Sequence, residues 1–246
     1  MMPKIIFSDI DGTLLNSQHK ISSETKHVPF ILVFARLPKA IIHLHKELNL
    51  KTPINCYSGA LIIEVTHDSY QVILNKTMKL EFIREIYQKA KMRNLHISIF
   101  NNDDWFVKGM DDWAIQEEGI VKTTPTIIDY RELFRLWEQT KNSANKVLCM
   151  GEEGEIENLE RFLTNELGRE LTINHSKPTY LEIMDHSVTK TSAIQFLQER
   201  LTLKQSEIIA IGDNFNDIDM LQYANLGVAM GNAPEQVKQA ANAFSI

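Results

Sequence analysis

The strongest constraint in this sequence is that two short apolar runs, one near each end, break off abruptly into clustered acids. Residues 4–8, Lys4-Ile5-Ile6-Phe7-Ser8, run straight into Asp9-Ile10-Asp11-Gly12-Thr13. Residues 208–211 do the same, ending in Gly212-Asp213-Asn214-Phe215-Asn216-Asp217. A continuous apolar run of this length, without polar alternation, suits a strand buried on both faces of a parallel sheet. Ligands of such sheets bind beyond the carboxyl ends of the strands, where the loops converge. The pattern therefore predicts an α/β chain in which two distant acidic stretches meet.

The stretch between them changes texture. A strand at 30–35, then Pro38 and a helical pattern at Ile41, Ile42, Leu44 and Leu48, make a βα unit. Short strands follow at 54–57, 60–65 and 70–74. From Met78 onward a long amphipathic helix leads to strands at 95–100 and 105–108 and a helix beginning near Asp111. A strand at 144–150, a helix at 152–167 and strands at 170–174 and 179–184 complete this stretch. Such mixing of helices with paired strands predicts a separate α+β layer. A helix at 190–201, the apolar strand at 208–211, a helix from Phe215, a strand at 226–229 and a helix from Pro234 restore the first pattern. The expected organisation is a core of residues 1–78 and 187–246, split by an inserted domain of residues 79–186.

Gathered carboxylates repel one another and raise each other's pKa unless a cation sits among them. Oxygen-only ligands with no nearby His or Cys favour magnesium. In an extended turn, positions i and i+2 share a side, so Asp9 can attack while Asp11 moves protons. Gly12 permits a tight turn that brings backbone N–H groups toward an anion. The net charge of -6 argues against a broad nucleic-acid or anionic-membrane footprint, and no apolar stretch reaches membrane-spanning length. Cys56 and Cys149, the two cysteines, lack metal-ligand spacing and read as free buried thiols. The cytoplasm is the expected location, with a small anionic substrate.

Phe7-Ser8-Asp9-Ile10-Asp11-Gly12-Thr13-Leu14-Leu15 resembles the first motif of the haloacid dehalogenase-like superfamily. Lys190 at the start of a helix, with 209–221, is similar to its third and fourth motifs. Gly227-Val228-Ala229-Met230-Gly231-Asn232-Ala233 is especially like the Cof-type subfamily, whose large type IIB cap is inserted mid-chain. The resemblance implies a Rossmann-like parallel-sheet core with an inserted α+β cap that closes over the substrate. It also implies a magnesium-dependent phosphatase acting on a small phosphorylated metabolite, a sugar phosphate or a phosphorylated cofactor. Asp9 would then be the nucleophile, forming an aspartyl-phosphate, Asp11 the acid and base, and Lys190 the stabiliser of phosphoryl charge. Asp9, Asp213 and the main-chain carbonyl of Asp11 would hold magnesium, with Asp217 close behind. Gly12, Lys190 and Asn216 would contact the phosphate.

Some positions depart from the family pattern. Phe34, in Leu32-Val33-Phe34-Ala35-Arg36, stands where a phosphate-binding hydroxyl is expected. The segment between Ile21 and Phe30 is shorter than a full crossover. Ser58-Gly59-Ala60 replaces Asn-Gly-Ala, and no final strand and helix are expected after the helix from Pro234. Phe34 and the shortened segment motivate an alternative: a catalytically impaired protein that binds phosphometabolites in a regulatory role. Trp105, Phe106 and Trp113 fit either a substrate mouth or the core of the inserted domain. His43 and His45 read as surface or packing residues.

Overall fold

The computed structural model describes residues 3–14, 29–67 and 69–245. The short segment before Phe30 that the sequence singles out lies mostly outside these described residues. The chain divides into two compact units: Met1–Ala35, Ile41–Leu74 and Thr189–Ile246 form one, Arg36–Ala40 and Asn75–Val188 the other.

In chain order the first unit begins with β1 (Ile5–Ser8), β2 (Phe30–Val33), α1 (Ile42–Glu47), β3 (Ile54–Cys56), β4 (Leu61–Val65) and β5 (Tyr70–Asn75). The second unit supplies α2 (Leu80–Lys91), β6 (His96–Asn101), β7 (Asp104–Val107), α3 (Asp112–Val121) and β8 (Thr126–Ile127). It continues with α4 (Tyr130–Thr140), β9 (Lys146–Met150), α5 (Glu153–Leu167), β10 (Leu171–Lys177) and β11 (Tyr180–Asp185). The chain returns to the first unit as α6 (Lys190–Arg200), β12 (Ile208–Gly212), α7 (Ile218–Tyr223), β13 (Leu226–Ala229), α8 (Glu235–Ala240) and β14 (Ala243–Phe244).

The fold is α/β. The first unit holds an eight-stranded sheet in the order β14-β13-β12-β1-β2-β3-β4-β5. Its pairs from β14 through to β3 are parallel, and β4 turns back antiparallel to β3. The uninterrupted apolar runs are explained by burial: Phe7, Ile31, Val33 and Ala210 of the sheet pack with Ala193, Ile194 and Leu197 of α6 and with Met220 and Leu221 of α7. Each fully buried large side chain contributes roughly 1.5–3 kcal/mol. The register sets Ser8 beside Ile211 and Leu32. The chain segments beginning at Asp9 and Asp213 therefore leave the sheet at the same edge.

The second unit is a six-stranded sheet in the order β10-β11-β9-β6-β7-β8, antiparallel except for β7 with β8. One of its faces packs Ile97, Ile99, Val147, Cys149, Leu181 and Ile183 against α2, α4 and α5. Trp105 is 2% exposed, stacks on Phe100 at 5.8 Å and donates from Nε1 to Ser98 Oγ at 2.8 Å. Phe106 meets Trp137 edge-on, and Trp113 meets Tyr180 in the same way. These contacts assign Trp105 and Phe106 to packing.

Three local expectations are corrected. Helix α4 is not among those predicted from the sequence, although Tyr130, Leu133, Phe134 and Trp137 recur at helical spacing and are all buried. Asp129 caps that helix, accepting from the Arg131 N–H at 2.8 Å. The region of Phe215 opens as a 3-10 turn, Phe215–Asp217, before α7 begins. A final strand is present: β14 pairs in parallel with β13, Val228 opposite Ala243.

Cys56 and Cys149 are free and buried, and burial pushes the Cys149 thiol up to about 12. His45 is buried with Nε2 2.8 Å from Thr52 O, a packing arrangement in which burial lowers its pKa. Among the described residues no helix is long and apolar enough to cross a membrane.

Candidate active site

The site grows from the carboxyl edge of the first unit's sheet. The Asp9 N–H donates to Ile211 O at 2.9 Å, which continues the ladder between β1 and β12 one residue beyond the strand. The Asp9 carboxyl group is therefore fixed just past the sheet, 8% exposed. On the neighbouring strand end, Asp217 folds back under its own loop. Its Oδ2 accepts from the N–H groups of Asp213 and Asn214, both at 3.0 Å.

Lys190 enters from the first turn of α6. Thr189 caps that helix, its hydroxyl accepting from the Ser192 N–H at 2.9 Å, while the Ser192 hydroxyl accepts from the Thr189 N–H at 3.1 Å. The helix start is seated against the Ser58-Gly59-Ala60 turn. Gly59 has φ +117, and a Cβ there would lie 2.5 Å from the Thr189 carbonyl oxygen, so the approach requires glycine. Ser58 holds φ 52, the left-handed region that an Asn tolerates better. The Lys190 ammonium donates to Asp9 Oδ1 at 2.6 Å and to Asp217 Oδ1 at 2.5 Å, all three groups being buried.

Carboxylate oxygens of Asp9, Asp213 and Asp217 lie within 4.8 Å of one another. One ammonium faces three carboxyl groups, and the electrostatics show the imbalance. Burial raises the Asp9 carboxyl to about 7, opposed by the Lys190 charge and reinforced by Asp217. Burial also raises Asp213, opposed by the Thr13 hydroxyl bond and reinforced by Asp217. Burial works to lower the Lys190 pKa, but Asp9 and Asp217 outweigh it and hold the ammonium charged. A hard divalent cation fits this all-oxygen donor set and would relieve the repulsion.

The structure brings Asp9, Lys190, Asp213 and Asp217 together, with Gly12 in contact with Asp213. Asp11 is exposed in the turn after β1, outside the three-carboxylate group. Asn216 is exposed in the 3-10 turn beside Asp217. Phe34 is 4% exposed at the end of β2, where its backbone bonds to Asn55 and Ser58. Two polar residues that the sequence reading left without a role hold Asp213. Thr13 donates from Oγ1 to Oδ1 at 2.7 Å, and Asn232 donates from Nδ2 to Oδ2 at 3.1 Å. Both stand inside the quoted motif stretches, but a neutral side chain carries no spacing rule that would mark it as a carboxylate's partner.

Buried carboxylates and one buried lysine at the edge of a parallel sheet are the equipment of an enzyme that handles an anionic ester. The chain belongs to the haloacid dehalogenase-like hydrolases, whose family model matches residues 6–245. A protein of Haemophilus influenzae whose name places it among phosphatases is 36% identical, over 98% of this chain and 92% of its own length. The 5-amino-6-(5-phospho-D-ribitylamino)uracil phosphatase YitU of Bacillus subtilis is 26% identical, over 98% and 91%. The solved structure of a haloacid dehalogenase-like hydrolase from Bacteroides thetaiotaomicron superposes with a TM-score of 0.84 at 28% identity, covering 99% of this chain and 94% of that one. In class the chain is an enzyme, a phosphoric monoester hydrolase. The comparisons lend no support to the catalytically impaired, regulatory alternative.

Proposed function

We propose that this protein is a magnesium-dependent phosphatase that hydrolyses a small phosphorylated metabolite through an aspartyl-phosphate on Asp9. The observation that carries the reading is the buried cluster itself: Asp9 beside Lys190, with Asp213 and Asp217 in reach of one shared cation. Magnesium would be held by Asp9, Asp213 and the main-chain carbonyl of Asp11, backed by Asp217, and would supply charge neutralisation for the ester and the carboxylates.

The chain's own groups perform the rest. An Asp9 carboxylate oxygen attacks phosphorus, and the bond from phosphorus to the leaving oxygen breaks. Asp11, solvent-exposed and two residues on, gives its proton to the leaving alkoxide. It then takes a proton from the water that hydrolyses the aspartyl-phosphate. Lys190 keeps its charge throughout and stabilises the phosphoryl oxygens, since phosphoryl transfer depends chiefly on positioning and electrostatics. Gly12 and Asn216 contribute phosphate contacts. Phe34 leaves the usual hydroxyl contact unmade, so these groups carry that task. The net charge of -6 and the buried thiols accord with a cytoplasmic enzyme of small metabolites, and the relative named for a phosphorylated ribitylaminouracil supports a small phosphorylated metabolite, a sugar phosphate or a phosphorylated cofactor, as substrate.

Turnover of an aryl phosphate tests this directly. Hydrolysis should require magnesium, cease with chelator and vanish in Asp9→Asn. Turnover that survives in Asp9→Asn would sink the nucleophile assignment.

A further inference from the structure

Asp213 is held from both sides. Thr13 reaches Oδ1 from the turn after β1, and Asn232 reaches Oδ2 from the loop after β13. A carboxylate rotates with little preference about its last bond, so one donor leaves its plane free to swing, whereas two donors on opposite oxygens fix it. An ionised carboxylate offers about four lone-pair sites. One bond to each oxygen therefore leaves each with capacity for a cation. An amide suits the position because it donates without adding a fourth negative charge to the cluster.

The loop that carries Asn232 is itself tied down. The Met230 N–H donates to Gly212 O at 3.0 Å, and the Ala233 N–H closes a turn on Met230 O at 3.0 Å. Between them, the Gly231 N–H donates to the Ser245 hydroxyl at 2.9 Å, and Ser245 is placed by its own N–H on Ala229 O at 2.9 Å. A chain of hydrogen bonds thus runs from the segment after β14 to a carboxylate of the acidic cluster.

We propose that Asn232 is a positioning residue for the cation-binding carboxylate of Asp213, and that Ser245 holds the loop from which Asn232 acts. The proposal rests on the magnesium reading of the site given above. Magnesium demands near-octahedral geometry at short distances, so a carboxylate free to swing binds it less well. Hydrogen-bond partners behind metal ligands typically govern about 10–100-fold in affinity.

The test is calorimetric titration of magnesium into the full chain without substrate, with melting temperature in chelator as a second readout. Asn232→Ala should weaken magnesium binding about tenfold, and Ser245→Ala should weaken it in the same direction by less. Both variants should melt in chelator within about 2 °C of the parent protein. Unchanged magnesium affinity in both variants overturns the proposal. A lower melting temperature with unchanged affinity overturns it too, by reducing both residues to structural ones. If Asn232→Ala does not fold, Ser245→Ala carries the test alone. Failure of the unaltered protein to bind magnesium would instead refute the metal reading on which the proposal stands.

Discussion

Gly12 and Asp213 touch so closely that a larger residue at position 12 must move the carboxylate: an added Cβ would lie 2.3 Å from Asp213 Oδ2. Gly12 also holds φ +80, a region that side-chain-bearing residues rarely adopt. Gly12→Ala should therefore displace the Asp213 carboxylate and lower kcat/KM by about a hundredfold or more, comparable to losing one positioned catalytic group. Steady-state kinetics on an aryl phosphate would check this, and a loss below about threefold would contradict the contact.

The raised Asp9 carboxyl should make cation binding pH-dependent. Without a cation, burial holds this group to about 7, above its ordinary 3.8. A cation held by Asp9 would bind the ionised form, so below pH 7 each binding event should expel a proton. Magnesium affinity should climb by about tenfold per pH unit up to pH 7 and flatten above it. Calorimetry in buffers of different ionisation enthalpy would read the released proton directly. Affinity constant from pH 5.5 to 7.5 would refute the shift.

Lys190 is the sole ammonium bonded to both Asp9 and Asp217 among the described residues, and it is buried with them. Removing one partner of a buried ionic group leaves uncompensated charge, which costs about 3–5 kcal/mol. Lys190→Ala should lose both activity and roughly that much stability in urea unfolding at pH 7.5. The stability loss should shrink at pH 5, where Asp9 can take up a proton. A variant as stable as the parent at both pH values would show that the bonds are dispensable.

In the second unit, Tyr130 donates its hydroxyl to Ile97 O at 2.5 Å and also lies 3.2 Å from Phe106 O. Tyr130→Phe should remove about 1–2 kcal/mol of stability, because the buried Ile97 carbonyl loses its hydroxyl donor. Denaturant unfolding would measure it, with activity as the control for an intact first unit.

The strand that leads to Asp9 was legible because burial on both faces erases polar alternation, and Asp9, Asp11 and Asp213 follow such strands directly. Lys190 was legible only through its neighbours, since a lysine opening a helix is ordinary by itself. Other features depend on approach distances that residue type does not encode. Ser58 reads as a small substitution until its left-handed backbone and the Thr189 carbonyl behind Gly59 are seen. Thr13 and Asn232 acquire meaning only through the Asp213 oxygens they meet. The omitted α4 is different in kind: its apolar spacing and Asp129 cap were present to be read.

The sheet order places β1 between β2 and β12, and β12 is made long after β1. A ribosome adding roughly 5–20 residues per second takes about 10–40 seconds to travel from Asp9 to the partner strand at Ile208. Throughout that interval one side of β1 has no native neighbour, and Asp9 has neither Lys190 nor Asp217. The growing polypeptide therefore completes its acidic cluster only once Asp217 has been made, and the flank of β1 that β12 will cover is the surface a chaperone would have to shield until then.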